Sequence, residues 1–183
     1  MELVLIVLAA AVAGWAVFAF NRLVRLRNQV KAGWSDIDVQ LMRRHDLVPA
    51  LVEAVRAYAG HEKAVLDSVT ALRAQAMDTR SPAALAHIEQ ALAQGVTRLL
   101  LVQEAYPDLK ASAGFLRLQR DLVDVEDHLQ YARRFYNGAV RELNDGVQKL
   151  PDVIVAKLGG FAPAEYFRAE AGASVAPAVG AVG

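Results

Sequence analysis

The chain opens with one long apolar stretch and then changes to a repeating stripe. Residues 3–20 carry no charged or strongly polar side chain. A bilayer core about 30 Å thick takes roughly 20 residues of helix, so this stretch is just long enough to cross one. Trp15, Phe18 and Phe20 lie toward its end, where aromatic rings favour the membrane interface. From there apolar residues recur in steps of three and four: Leu23, Leu26, Val30, Trp34, Ile37, Leu41, Val48, Val52 and Val55. That spacing places them on one helical face. Nothing between Phe20 and Val30 breaks a helix, so the anchor is expected to run directly into a first bundle helix over 21–58. Pro49 removes a backbone donor and disfavours helical geometry at Val48. The stripe resumes in phase after it, which predicts a kink rather than a break.

Three more helices follow from the same periodicity. Gly60 suits a C-cap, and Val65, Val69, Leu72 and Ala76 predict a second helix over 61–79. Ser81-Pro82 is a start signal, with Ser as N-cap and Pro at the first helical position. The third helix, 82–104, reads Leu85, Ile88, Leu92, Gly95, Leu99, Val102 and Tyr106, and Pro107-Asp108 ends it. The fourth, 112–149, holds Phe115, Leu118, Leu122, Val125, Leu129, Ala132, Tyr136, Ala139 and Leu143 in register without a slip. Such a repeat predicts left-handed, coiled-coil-like packing. Only the first helix matches it in length, so these two are expected to pair. No stretch alternates with period two. The fold class is therefore all-α: an N-terminal transmembrane helix (1–20) continuing into an antiparallel four-helix bundle (21–168). After Pro151, Phe161, Tyr166 and Phe167 are expected to clamp onto the bundle. Residues 169–183 read as a disordered tail.

Composition narrows the function classes. Lys plus Arg and Asp plus Glu both number 20, so there is no bulk charge to attract nucleic acid. There is no Cys, which excludes disulfides, Cys-ligated zinc and a thiol nucleophile. A cleaved signal peptide is the competing reading of the first stretch, and Ala11-Val12-Ala13 resembles a cleavage site. The positive charge, however, follows the apolar run instead of preceding it. Arg22, Arg25, Arg27 and Lys31 sit at the membrane interface and predict a short outside N-terminus with the bundle in the cytoplasm. The same side chains are placed to touch anionic headgroups.

The candidate chemistry is sparse. Asp36, Asp38, Arg43, Arg44, His45 and Asp46 crowd the first helix, and Glu126 and Arg133 flank the stripe of the fourth. A half-buried polar network between these helices would fix their register; ordinary solvated ion pairs are the alternative. His45, His61, His87 and His128 lack zinc-protease or di-iron spacing. No serine lies in a nucleophile elbow, and Gly159-Gly160 is not a phosphate loop. No cofactor or metal is implied.

The segments Asn21–Val30, Trp34–Leu41, Arg43–Pro49 and Leu51-Val52-Glu53 resemble the N-terminal half of the LemA family. Tyr58-Ala59 and His61-Glu62 continue the likeness. Ala105–Ala111, Phe115, Leu118-Gln119, Leu122, Glu126, Ala132-Arg133 and Tyr136-Asn137 resemble its long C-terminal helix. Asn144, Pro151, Ala156, Phe161 and Tyr166-Phe167 match its ending. The sequence departs from the pattern at Met42, Ser112, Gly114 and Leu150, none of which disturbs the architecture. The resemblance implies a bacterial membrane-anchored antiparallel bundle. It brings no catalytic residues, and some relatives belong to membrane-bounded magnetic organelles.

Trp34, Asp38, Arg44, Asp46, Pro49, Glu53, Glu126, Arg133 and Asn137 are the candidate interaction or register-fixing positions. The expected function is a non-enzymatic scaffold or adaptor at the cytoplasmic (inner) membrane. Its partners would be lipid, through the first helix, and another membrane or envelope protein or a second copy. A sensor transmitting through the first helix, with Pro49 as its compliant point, is the alternative. An enzyme using Asp38, His45, Asp46 and Glu126 ranks last, and stands only if those four converge in one pocket.

Overall fold

The computed structural model describes residues 1–168; the tail read as disordered lies outside them. Among the described residues the chain is helical with no strand. The order is α1 (Glu2–Tyr58), α2 (Lys63–Asp78), α3 (Pro82–Leu101), α4 (Pro107–Ala111), α5 (Ala113–Gln148) and α6 (Asp152–Leu158).

Helix α1 is continuous, as its uninterrupted Ala, Leu, Val and Arg content predicts. Its 57 residues extend over about 85 Å at 1.5 Å per residue. The apolar part is long enough to cross a membrane, and only 6% of its most apolar 18-residue window is buried. That low burial separates it from the core helix of a soluble protein. Helix α1 passes through Pro49 without interruption. Proline's missing N–H leaves the carbonyl four residues earlier, that of His45, without its helical donor. Arg73 Nε of α2 donates to that oxygen at 2.7 Å.

Helices α1 and α5 pair along their length in opposite directions. Leu23 and Leu26 lie over Gly146, Gly33 lies against Phe135 and Tyr136, and Arg44 reaches Glu126. Two glycines set how closely the backbones approach. A Cβ at Gly33 would fall 3.0 Å from the Cα of Tyr136, and one at Gly146 would fall 3.1 Å from Leu26. Helices α2 and α3 cover the end of this pair farther from the apolar stretch, burying Val48, Leu51, Val55, Leu66, Val69, Leu92, Leu99 and Phe115 in one core. A middle core joins Ile37, Leu41, Leu85, Leu129, Tyr136 and Phe167. A third, beside the apolar stretch, joins Ala19, Leu23, Leu143, Val147, Val155 and Phe161.

Local signals held where they were chemical. Ser81 and Ser112 are N-caps, accepting from the N–H of Ala84 and Phe115. Three expectations need correction. Gly60 is not the C-cap: α1 ends at Tyr58, and Ala59 donates its N–H to Val55 at 2.8 Å. The third helix stops being α-helical at Leu101 and continues as a 3-10 turn over Val102–Ala105, so Pro107 starts α4. The buried stripe of α3 is Leu85, Ala86, Glu89, Leu92, Val96 and Leu99. Helix α3 is therefore rotated from the heptad reading, which leaves Ile88, Gly95, Val102 and Tyr106 half-buried at its edge.

The segment after α6 does clamp onto the bundle, through two asparagines seven residues apart on α5. Asn144 donates to the carbonyl of Ala164 and accepts from its N–H, at 3.0 and 2.8 Å. Asn137 does the same to Phe167, at 3.1 and 2.9 Å. Seven helical residues rise about 10.5 Å, close to the roughly 10 Å covered by three extended ones. Each side-chain amide therefore meets the next available backbone unit.

Candidate functional site

Burying a charge is costly unless it is paired, and this bundle buries a cluster of them. Adjacent residues of α1 place Arg44 and His45 toward α3, with Arg44 also reaching α5. Glu89 faces them from α3 and is 0% exposed. Arg44 Nη2 donates to Glu89 Oε2, and Arg44 Nη1 donates to Glu126 Oε2 at 3.0 Å. His45 Nε2 lies 2.6 Å from the other Glu89 oxygen. Gln130 Nε2 donates to Glu126 Oε1 at 3.2 Å. Arg133 borders the cluster. Burial first, and the Arg44 charge second, lower its pKa, while Glu126 and Glu89 oppose the shift. Its guanidinium stacks 5.1 Å over the Phe167 ring, which ties the C-terminal segment to the same network.

Within this cluster the charged side chains pair mainly with one another. Both Glu89 oxygens are engaged, and Arg44 spans two carboxylates from different helices. An apolar heptad seam between α1 and α5 would tolerate a slide of seven residues with its pattern intact. The cluster does not, because a slide would strand buried charges. Among the described residues no group of three His, Cys, Asp or Glu side chains is placed to hold a metal ion.

The other candidate positions are dispersed. Trp34 is half-buried against Tyr136 and Phe167, at ring distances of 5.4 and 5.8 Å. Asp38 is exposed and shares a groove of about 460 Å³ with His45, Met42 and Arg80. Glu126 lines a different groove, of about 450 Å³, with Arg44, Gln130 and Arg133. Asp46, Pro49 and Glu53 are exposed. Asp38, His45, Asp46 and Glu126 thus do not converge, and the proposed catalytic group loses its geometric basis. Asn137 serves the C-terminal clamp. Of the interface cations, Arg22 pairs with Asp152 at 3.0 Å and Arg27 lies 5.0 Å over Phe161; Arg25 and Lys31 are exposed.

Sequence reasoning missed Glu89, the centre of the cluster, and Arg73. A signal for Glu89 was present: it stands four residues after Leu85 and three before Leu92, in step with the stripe.

A second surface lies on the outer side of the α1–α5 pair. Val39, Tyr131 and Phe135 are exposed there, at 57%, 68% and 52%. They line a shallow groove of about 340 Å³ with Asp36, Gln40 and His128. Gln40 Oε1 is buried in this region without a hydrogen-bond partner among the described residues.

These features define a class: a helical bundle continuous with a membrane-length apolar helix, with a buried Arg–Glu–His cluster joining three of its helices. The chain belongs to the LemA family, whose family model matches residues 33–180. It is similar to magnetosome protein MamQ 2 of Paramagnetospirillum magneticum, with 23% identity over 175 residues. It is also similar to magnetosome protein MamQ of Magnetospirillum gryphiswaldense, with 22% identity over 174 residues. Each match covers 81% of this chain and 64% of the relative, so the chain spans under two-thirds of these relatives' length.

Proposed function

We propose that this protein is a membrane-tethered scaffold that acts through protein contacts at the cytoplasmic membrane. Helix α1 spans the bilayer with a short N-terminus outside, and the bundle stands in the cytoplasm on the same rigid helix. The observation that carries the reading is the outer α1–α5 face. Val39, Tyr131 and Phe135 expose apolar and aromatic area beside the unpartnered Gln40 oxygen. A protein surface carrying apolar side chains would bury this exposed area. The partner is another protein of the same membrane or a second copy of the chain. The relatives named for the magnetosome accord with a part in building membrane structures, though the organelle itself is not carried over to this chain. Arg73 weighs against the sensor alternative, because it replaces the donor that Pro49 lacks and stiffens the point expected to be compliant.

Photo-crosslinking in intact membranes tests the proposal, with a photoreactive residue at Val39 or Tyr131 and another at Met77 on α2 for comparison. Discrete protein adducts from Val39 and Tyr131, absent from Met77, are expected. Equal and diffuse adducts from all three positions would refute the assignment of this face.

A further inference from the structure

Helix α6 does not pack on the cytoplasmic part of α1 alone. Its buried residues Val155 and Ala156, with Phe161 just beyond, share a core with Ala19, Leu23 and Leu26, flanked by Trp15 and Ala16. Ala19 is only 1% exposed, and Phe20 meets Phe161 edge-on at 5.4 Å. The inner face of α6 is fixed electrostatically as well, because buried Asp152 accepts from Arg22 at 3.0 Å.

This placement conflicts with water on every side of α6. An apolar stretch ending at Phe20 reaches roughly 20 residues only if residues 15–20 lie within the bilayer. Those are the residues α6 covers, so α6 sits at their depth. Its outward face agrees: Ile154 and Leu158, one helical turn apart, are 53% and 85% exposed, and Leu150 in the turn before the helix is 80% exposed. Val17 and Phe18, in the stretch of α1 that α6 packs on, are also exposed. Lys157 flanks the outward face of α6 and is exposed; its long stem lets the ammonium reach the headgroups.

We propose that α6 is a second membrane contact, an interfacial helix whose Ile154 and Leu158, with Leu150 just before it, enter the headgroup–acyl boundary of the leaflet beside the bundle. The inference rests on α1 being membrane-spanning. Anchored at α1 and at α6, the bundle would be held at one tilt and one rotation relative to the bilayer.

The native sequence has no Cys, so single cysteines can be introduced and labelled with an environment-sensitive fluorophore. The full chain carrying I154C, L158C, L8C or L101C is reconstituted in phosphatidylcholine–phosphatidylglycerol vesicles. Quenching is read with aqueous iodide on both sides and with nitroxide lipids. Leu101 is exposed at the end of α3 and reports the aqueous level. Labels at 154 and 158 are expected to show about threefold less iodide quenching than at 101, together with nitroxide-lipid quenching. Iodide quenching equal to that at 101, with position 8 protected, overturns this inference and leaves the anchor standing. Iodide quenching at position 8 overturns the anchor as well. Protection of 154 and 158 from both quenchers assigns the face to a protein contact and also overturns the proposal.

Discussion

Glu89 holds Arg44 and His45 from a fully buried position, so its neutralisation leaves the Arg44 charge short of a counter-charge. Breaking a buried pair costs about 3–5 kcal/mol. Glu89→Gln is expected to lower stability by that order, measured by chemical unfolding in detergent with Trp34 fluorescence as the probe. Glu126→Gln, whose side chain is 39% exposed, should cost only about 1 kcal/mol. Equal small effects for both would mean that water reaches the whole cluster. Tyr136 offers a pH test. Burial first, and the Glu165 charge second, raise its phenol above the ordinary 10.0, and its hydroxyl donates to the Glu165 carbonyl at 2.8 Å. The folded state therefore keeps this proton more tightly than the unfolded chain does. The stability contribution is intact below pH 10.0 and is lost as pH rises through the folded value. Tyr136→Phe should remove that component from the alkaline limb of the stability curve.

Within the helices, α1 shows how one element's defect becomes another's attachment point. Pro49 frees the His45 carbonyl, and Arg73 supplies the donor from α2. Arg73→Met should destabilise by about 1.5–3 kcal/mol, the range for a hydrogen bond to a charged group. Pro49→Ala restores the helical donor, so Arg73→Met should cost clearly less in that background. A double-mutant cycle read by thermal unfolding gives the coupling. Additive effects would show that Arg73 acts elsewhere. The sequence made Pro49 legible as a local fault, because proline chemistry is local. It could not name Arg73, which lies 28 residues from His45 and meets it only once α2 has packed.

Across the whole molecule, the apolar helix, the bundle and α6 pack against one another, and the proposed anchors would fix their relation to the membrane. Protease added outside intact cells should leave the bundle uncut, whereas the same protease on inverted vesicles should release it. Cleavage from the outside would reverse the orientation inferred from Arg22, Arg25, Arg27 and Lys31. Two of these cations also make contacts within the fold. Arg22 and Arg27 grip Asp152 and Phe161, so their substitution should also loosen α6.

The sequence by itself determined the all-helical class, the membrane-length apolar stretch, the approximate spans of the longer helices and the two serine caps. Each depends on apolar periodicity or on a hydrogen bond reaching three residues along the chain, and such signals are local. It also named Arg44 and Glu126 among the charged residues of these two helices, with a network and solvated ion pairs as the two readings. Only the tertiary structure decided the centre of that network, because Arg44 meets Glu89 and Glu126 across 45 and 82 residues. A heptad stripe fixes which face of a helix is buried. It leaves the rotation of α3 and the register of α1 on α5 open to shifts that preserve the pattern. Buried charges narrow that choice, because a shift that preserves the stripe would part Arg44 from Glu89 and Glu126.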